Sequence, residues 1–100
     1  MKSEYKTEAY GAWVGVRIIS KEENKYEIFK IWVPEKYRRK GIATKMVKEV
    51  TDDADNEGVT LTATPLENKA ESIGLLKKSG FEHRDEWTDI WVRKPLDINL

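Results

Sequence analysis

Two early stretches of the chain are dense in β-branched and aromatic residues, and a short polar run separates them. Residues 9–20 read Ala-Tyr-Gly-Ala-Trp-Val-Gly-Val-Arg-Ile-Ile-Ser and residues 26–33 read Tyr-Glu-Ile-Phe-Lys-Ile-Trp-Val, with Lys21-Glu22-Glu23-Asn24-Lys25 between them. Side chains of this kind fit a pleated, half-buried surface, and the pattern predicts a β-hairpin. Residues 3–7 offer a preceding strand, with Gly11 or Gly15 as a bend or bulge. Pro34 ends the second long strand, because it has no amide hydrogen to give to a ladder.

After Gly41 the period changes. Ala43, Met46, Val47, Val50 and Ala54 recur at the three-and-four spacing of one helical face, predicting a helix over 41–55 that Gly58 closes. Residues 59–64 form a short buried strand stopped by Pro65. Asn68 with Glu71 three residues later suits a capped helix start, and Lys77, Lys78 and Gly80 suit its end. Residues 81–83 and 87–93 read as two last strands joined by Asp85-Glu86, which places Trp13, Trp32, Trp87 and Trp91 in strands as core or sheet-face residues. A strand–helix–strand crossover requires a parallel pair and hairpins require antiparallel ones. The fold class is therefore α+β, a mixed and mostly antiparallel sheet flanked by two main helices.

One hundred residues, 39% of them hydrophobic, are enough for one domain spanning 1–100 and one core. The net charge is zero, with 18 basic residues against 18 acidic, which argues against a dedicated nucleic-acid binder held by broad phosphate attraction. The absence of Cys rules out thiolate chemistry and Cys-ligated metal, and His83 is the only His, so no metal site is expected. No apolar run approaches a membrane span and the first residues lack a signal-like segment, so the expected location is cytoplasmic, with no membrane partner.

The segment that carries chemistry is Val33-Pro34-Glu35-Lys36-Tyr37-Arg38-Arg39-Lys40-Gly41-Ile42-Ala43-Thr44. It leaves a strand, makes a basic turn and opens a helix, so first-turn amides, a permissive Gly and three consecutive cations converge on one point. A phosphate or pyrophosphate fits such a point best, through the amides of Lys40, Gly41, Ile42, Ala43 and Thr44 and the side chains of Arg38 or Arg39. Read alone, Arg-Arg-Lys would be a solvated basic turn; its placement between strand, Pro and helix favours the anion site.

Here the chain resembles the GNAT superfamily of N-acetyltransferases. That family's signature of Gln or Arg, two residues, Gly, one residue, then Gly or Ala is matched by Arg38, Gly41 and Ala43, and Leu75-Leu76-Lys77-Lys78-Ser79-Gly80-Phe81 is similar to its helix ending in Gly-Phe. The resemblance covers residues 9–93 and implies acetyl-CoA as acetyl donor, its pyrophosphate held by the Arg38–Thr44 loop. It further implies that backbone groups of Ile31, Trp32 and Val33 pair with the pantetheine arm and that Asn68 contacts the same arm, although a helix cap explains Asn68 without a ligand.

Glu27 is the candidate base. Strict alternation puts it on one face with Phe29, Ile31 and Val33, where it interrupts an apolar row, and it stands eleven residues before Arg38, as does the base in some lysine-acetylating members. Where many members carry a Tyr acid, this chain has Leu76, so Ser79 or a water would have to supply the proton. The family's first strand and two following helices have no room before residue 9, so the acceptor cleft should be open or be completed by a partner chain, which leaves a homodimer open. An open cleft favours a protein lysine as the primary amine, and Asp85, Glu86 and Asp89 are placed to attract its cation. The expected function is acetyl-CoA-dependent N-acetyl transfer by direct attack. The alternatives are a catalytically weakened acyl-CoA-binding regulatory module and a viral anti-defence acetyltransferase, since very small members of the superfamily include viral proteins that acetylate a bacterial immunity protein.

Overall fold

The computed structural model describes residues 1–7, 10–65 and 69–96. The sheet begins with β1 (Glu4–Lys6), β2 (Trp13–Ser20) and β3 (Lys25–Trp32). After a 3-10 turn at Glu35–Tyr37 come α1 (Ile42–Glu57), β4 (Thr60–Ala63), α2 (Lys69–Lys78), β5 (Glu82–His83) and β6 (Trp91–Arg93). The six strands lie in the order β1-β2-β3-β4-β6-β5, and only β3 and β4 pair in parallel. The hairpin, both helices and the mixed sheet fall where the periodicity put them.

Helix α1 buries Met46, Val47, Val50 and Ala54 against a sheet face bearing Tyr5, Val14, Val16, Ile28 and Leu61. Both helices stop at a left-handed glycine. At Gly58 (φ 66°) the amide of Val59 donates back to Ala54 O (2.7 Å), and at Gly80 (φ 90°) the amide of Phe81 donates back to Leu76 O (2.9 Å). These long return bonds satisfy carbonyls that the helices would otherwise leave bare. Asn24, at the hairpin turn, donates its side-chain amide to Glu57 O (3.0 Å) and Gly58 O (2.9 Å), which ties the turn to the end of α1. No helix among the described residues is long and apolar enough to cross a membrane.

Two details depart from strict periodicity. Ile28 pairs with Val16 and Lys30 with Gly15, so Phe29 is an extra residue on β3, a bulge. Its ring lies over Gly15, where an added Cβ would stand 2.6 Å from Phe29 Cζ. The bulge resets the alternation: Ile31 pairs with buried Val14, so Glu27 shares a face with Arg17 and not with Ile31. The last strand also starts later than the β-rich sequence suggests, at Trp91 rather than at 87. Asp85 Oδ1 accepts the amides of Trp87 (2.8 Å) and Thr88 (3.0 Å), folding those residues into a turn that leaves Trp87 89% exposed and outside the core.

Candidate functional site

Pairing of β3 with β4 ends at Ile28 and Ala63, while β3 runs on to Trp32. Past that point β4 gives way to Thr64 and Pro65, and a cleft of about 810 Å³ opens between the diverging strands, the start of α1 and one side of α2. Ile31, Trp32, Val33, Arg38, Arg39, Gly41, Ile42, Ala43 and Thr44 all line it. On the β4 side, the amides and carbonyls of β3 beyond Ile28 face no further strand among the described residues, so they are available to an extended ligand, while the other side stays paired with β2.

At the mouth, Gly41 takes φ 76° and begins α1, whose first internal bond runs from Lys45 N to Gly41 O (3.1 Å). No side chain caps the helix and no acidic residue sits in its first turn. The amides of Ile42, Ala43 and Thr44 are thus left without intrahelical partners at the positive end of the dipole. A Cβ built on Gly41 would meet nothing within 4 Å, so the approach to these amides is clear. Arg38 donates Nε to Val33 O (2.9 Å) and lies 5.4 Å over the Trp32 ring, and no partner within the described residues takes its two terminal nitrogens. Arg39, also left-handed (φ 64°), reaches Glu71 across the cleft mouth at 3.4 Å. Lys40 lies outside this cleft and lines a smaller hollow beside it. Asn68 lies outside the described residues.

Glu27 does not line the cleft; it sits one residue before Ile28, which does. Arg17 holds it through Nε (2.7 Å) and a terminal nitrogen (2.6 Å), both on Oε1, and the same guanidinium lies 5.1 Å over the Phe29 ring. Oε2 is left without a partner among the described residues. Next to Glu27 in the parallel register, Thr62 buries a hydroxyl that likewise has none.

Sequence reasoning missed most of the α2 wall. Gly74, Leu75, Leu76 and Lys77 line the cleft, and Leu76, the residue at which the resemblance led us to expect a Tyr, is buried there. The clue was the helical spacing from Leu76 to the Gly-Phe stop, which orients that side chain. Ser79 is less available, since its hydroxyl donates to Leu75 O (2.8 Å). The Trp87 and Thr88 amides bonded to Asp85 hold its carboxyl below the usual range, so that carboxylate shapes the turn. His83 donates Nε2 to Thr88 O and stacks on Trp91, bracing the same hairpin.

The acetyltransferase (GNAT) family model matches residues 5–81, and the chain belongs to that family. Its fold is similar to that of YhbS from Escherichia coli, a GNAT N-acetyltransferase solved in complex with CoA (TM-score 0.64, 21% identity, 86% of this chain and 52% of that one). It is also similar to Tetrahymena GCN5 (TM-score 0.70, 15% identity, 96% and 71%) and to the anti-CRISPR protein AcrVA5 (TM-score 0.68, 19% identity, 91% and 98%). The chain spans 58% to 64% of the length of several other matching proteins. No curated protein sequence matches it. Acetyl-CoA is the family's donor, and the uncapped amides and the open space at Gly41 fit its pyrophosphate.

Proposed function

We propose that the chain is an acetyl-CoA-dependent N-acetyltransferase whose acceptor is a primary amine, a lysine exposed on a protein. The observation that carries this reading is the cleft itself, with unpaired strand backbone along one wall and uncapped helix amides at its mouth. Acetyl-CoA, when bound, supplies a thioester open to direct attack by a neutral amine. The Ile42, Ala43 and Thr44 amides and Arg38 hold its diphosphate, and the backbone of Ile31 and Trp32 at the end of β3, with that of Val33 just beyond it, aligns its arm; Asn68 is assigned to the same arm. Glu27 Oε2, the oxygen that Arg17 leaves free, takes the proton from the ammonium, directly or through a water. The acceptor is read as a protein lysine because Phe29 and Arg17 lie on an open part of the sheet, which a protruding side chain can reach.

Incubation with acetyl-CoA and lysine-bearing proteins, read by intact mass and thiol release, tests the proposal. Acetylated protein with matching thiol is expected. The second reading, a binding module, is favoured by Leu76 and predicts tight CoA binding with no thiol release. An anti-defence role draws support from the nearly full-length match to AcrVA5, and acetylation confined to bacterial immunity proteins in the same assay would select it.

Two variants test the binding loop. Arg38→Ala should weaken CoA binding by about 1.5 to 3 kcal/mol, the usual worth of a hydrogen bond to a charged group. Gly41→Val places a branched side chain in the clear approach and strains a left-handed residue, so binding should be largely lost. Calorimetry on variants shown by circular dichroism to be folded checks both; undiminished affinity in the pair would remove the basis for the loop assignment.

Leu76→Tyr should change turnover by less than about tenfold, since a thiol of ordinary pKa about 8.5 already leaves tolerably as thiolate. Steady-state kinetics decides it, and a large gain would mark the wild-type chain as a binder that had lost its acid.

A further inference from the structure

Thr62 is 9% exposed, and among the described residues its hydroxyl is the one buried side-chain polar group with no hydrogen-bond partner. Burying a hydroxyl in that way costs free energy that valine, of nearly the same shape and well suited to a strand, would not incur. The cost points to a partner that this state of the chain does not supply. The sheet register places one beside it. Arg17 of β2, Glu27 of β3 and Thr62 of β4 are successive Cα partners, a row across three strands on one face of the sheet. Val92 of β6 continues the row with an apolar side chain. Glu27 therefore stands between a guanidinium on one side and a hydroxyl on the other. Arg17 occupies Oε1 at 2.7 and 2.6 Å, which leaves Oε2 for the other neighbour.

We infer that Thr62 is the positioning residue of Glu27, its hydroxyl bonding Oε2 while the acceptor amine is deprotonated. The inference rests on the reading of Glu27 as the base. A hydroxyl serves both stages, since it donates to a carboxylate and accepts from a carboxylic acid. The proton passes from the acceptor's ammonium to Oε2, directly or through a water, and the nitrogen keeps the electron pair that attacks the thioester. The new Oε2–H then donates to Thr62 Oγ1. Arg17 could not take that part, because a guanidinium has donors only. Glu27 afterwards returns the proton to solvent, to which its side chain is 24% exposed. Catalytic hydrogen bonds are often unformed without substrate and tighten in the complex, which agrees with the open Glu27–Thr62 pair.

Steady-state thiol release from acetyl-CoA, with poly-lysine as the amine, tests it on the full chain. Thr62→Val should lower kcat by about tenfold, the worth of one hydrogen bond to a charged group, with both KM values unchanged. Thr62→Ser, which keeps the hydroxyl, should restore the wild-type rate. The urea midpoint of Thr62→Val should be no lower than that of wild type, because the unpartnered hydroxyl is gone, so its slower turnover is not a folding defect. Combined with Glu27→Gln, Thr62→Val should cost nothing further, since it acts through that carboxylate. Full turnover in Thr62→Val beside a slow Glu27→Gln, equal losses in the Val and Ser variants, or additive losses in the double variant would each overturn the role of Thr62 alone. An unimpaired Glu27→Gln, or no thiol release by the wild type, would overturn the base reading and the role of Thr62 with it.

Discussion

Replacing Arg93 by alanine should lower folding stability by about 3 to 5 kcal/mol, because it leaves a nearly buried carboxylate without its partner. Arg93 is 7% exposed and donates through both terminal nitrogens to Asp55 at 2.7 and 3.0 Å, while its Nε donates to Ser79 O at 2.9 Å. One side chain thereby ties the last strand to the second half of α1 and to the end of α2. Gly80 makes the room: a Cβ there would stand 3.2 Å from Arg93 Nε. The hydrogen bonds from Arg93, joined by the amide of Leu96, hold the Asp55 carboxyl below the usual range. A group whose acidity is strengthened by folding stabilises above its unfolded pKa, near 4 for a carboxylate, and that contribution fades as the pH falls below it toward the lowered folded value. Urea unfolding at pH 7 and at pH 3 should show the wild type losing part of this margin in acid, with Arg93→Ala losing less. An Arg93→Ala midpoint equal to wild type at pH 7 would show the pair to be dispensable.

Glu27→Gln should lower turnover about 10²-fold or more at neutral pH with CoA affinity unchanged, as the loss of a general base does. The substitution keeps the shape and a hydrogen-bond acceptor for Arg17, so the fold is preserved. The defect should shrink as the pH rises toward the lysine pKa of about 10.4, since a growing share of the acceptor arrives already neutral. Arg17 sharpens the comparison, because its guanidinium occupies Oε1 and leaves one oxygen for the acceptor's proton. A pH–rate profile for both proteins decides the matter; parallel profiles would make Glu27 a partner of Arg17 and nothing more.

The elements that depend on local rules were legible in the chain. A period of two gave the hairpin, a period of three and four gave α1, and Gly58, Gly80 and Pro34 stopped what they were expected to stop. The loop at Arg38 was legible for the same reason, since cations, glycine and helix start are neighbours in sequence. What escaped depends on contacts between distant residues. The Phe29 bulge follows from the space over Gly15 on the facing strand, which alternation along one strand cannot register. The Asp55–Arg93 pair joins residues 38 apart. Trp87 misled because β propensity outvoted the Asp85 carboxylate, whose capture of two amides bends the backbone into a turn. The α2 wall was legible only in part, as Leu76, because a cleft lining is set by how a helix docks and not by its own spacing.

The short reach of β4 bears on how this chain can vary. Because pairing stops at Ala63, the wall opposite it presents main-chain groups that every amino acid except proline possesses. The half-exposed side chain at Trp32 can therefore drift in size and polarity while the wall keeps its hydrogen-bonding pattern, whereas Ile31 is held apolar by its packing against the core. Mutational scanning of that wall should find tolerance broken chiefly by proline, so a sequence long diverged from its relatives can retain a recognition surface that comparison of side chains would miss.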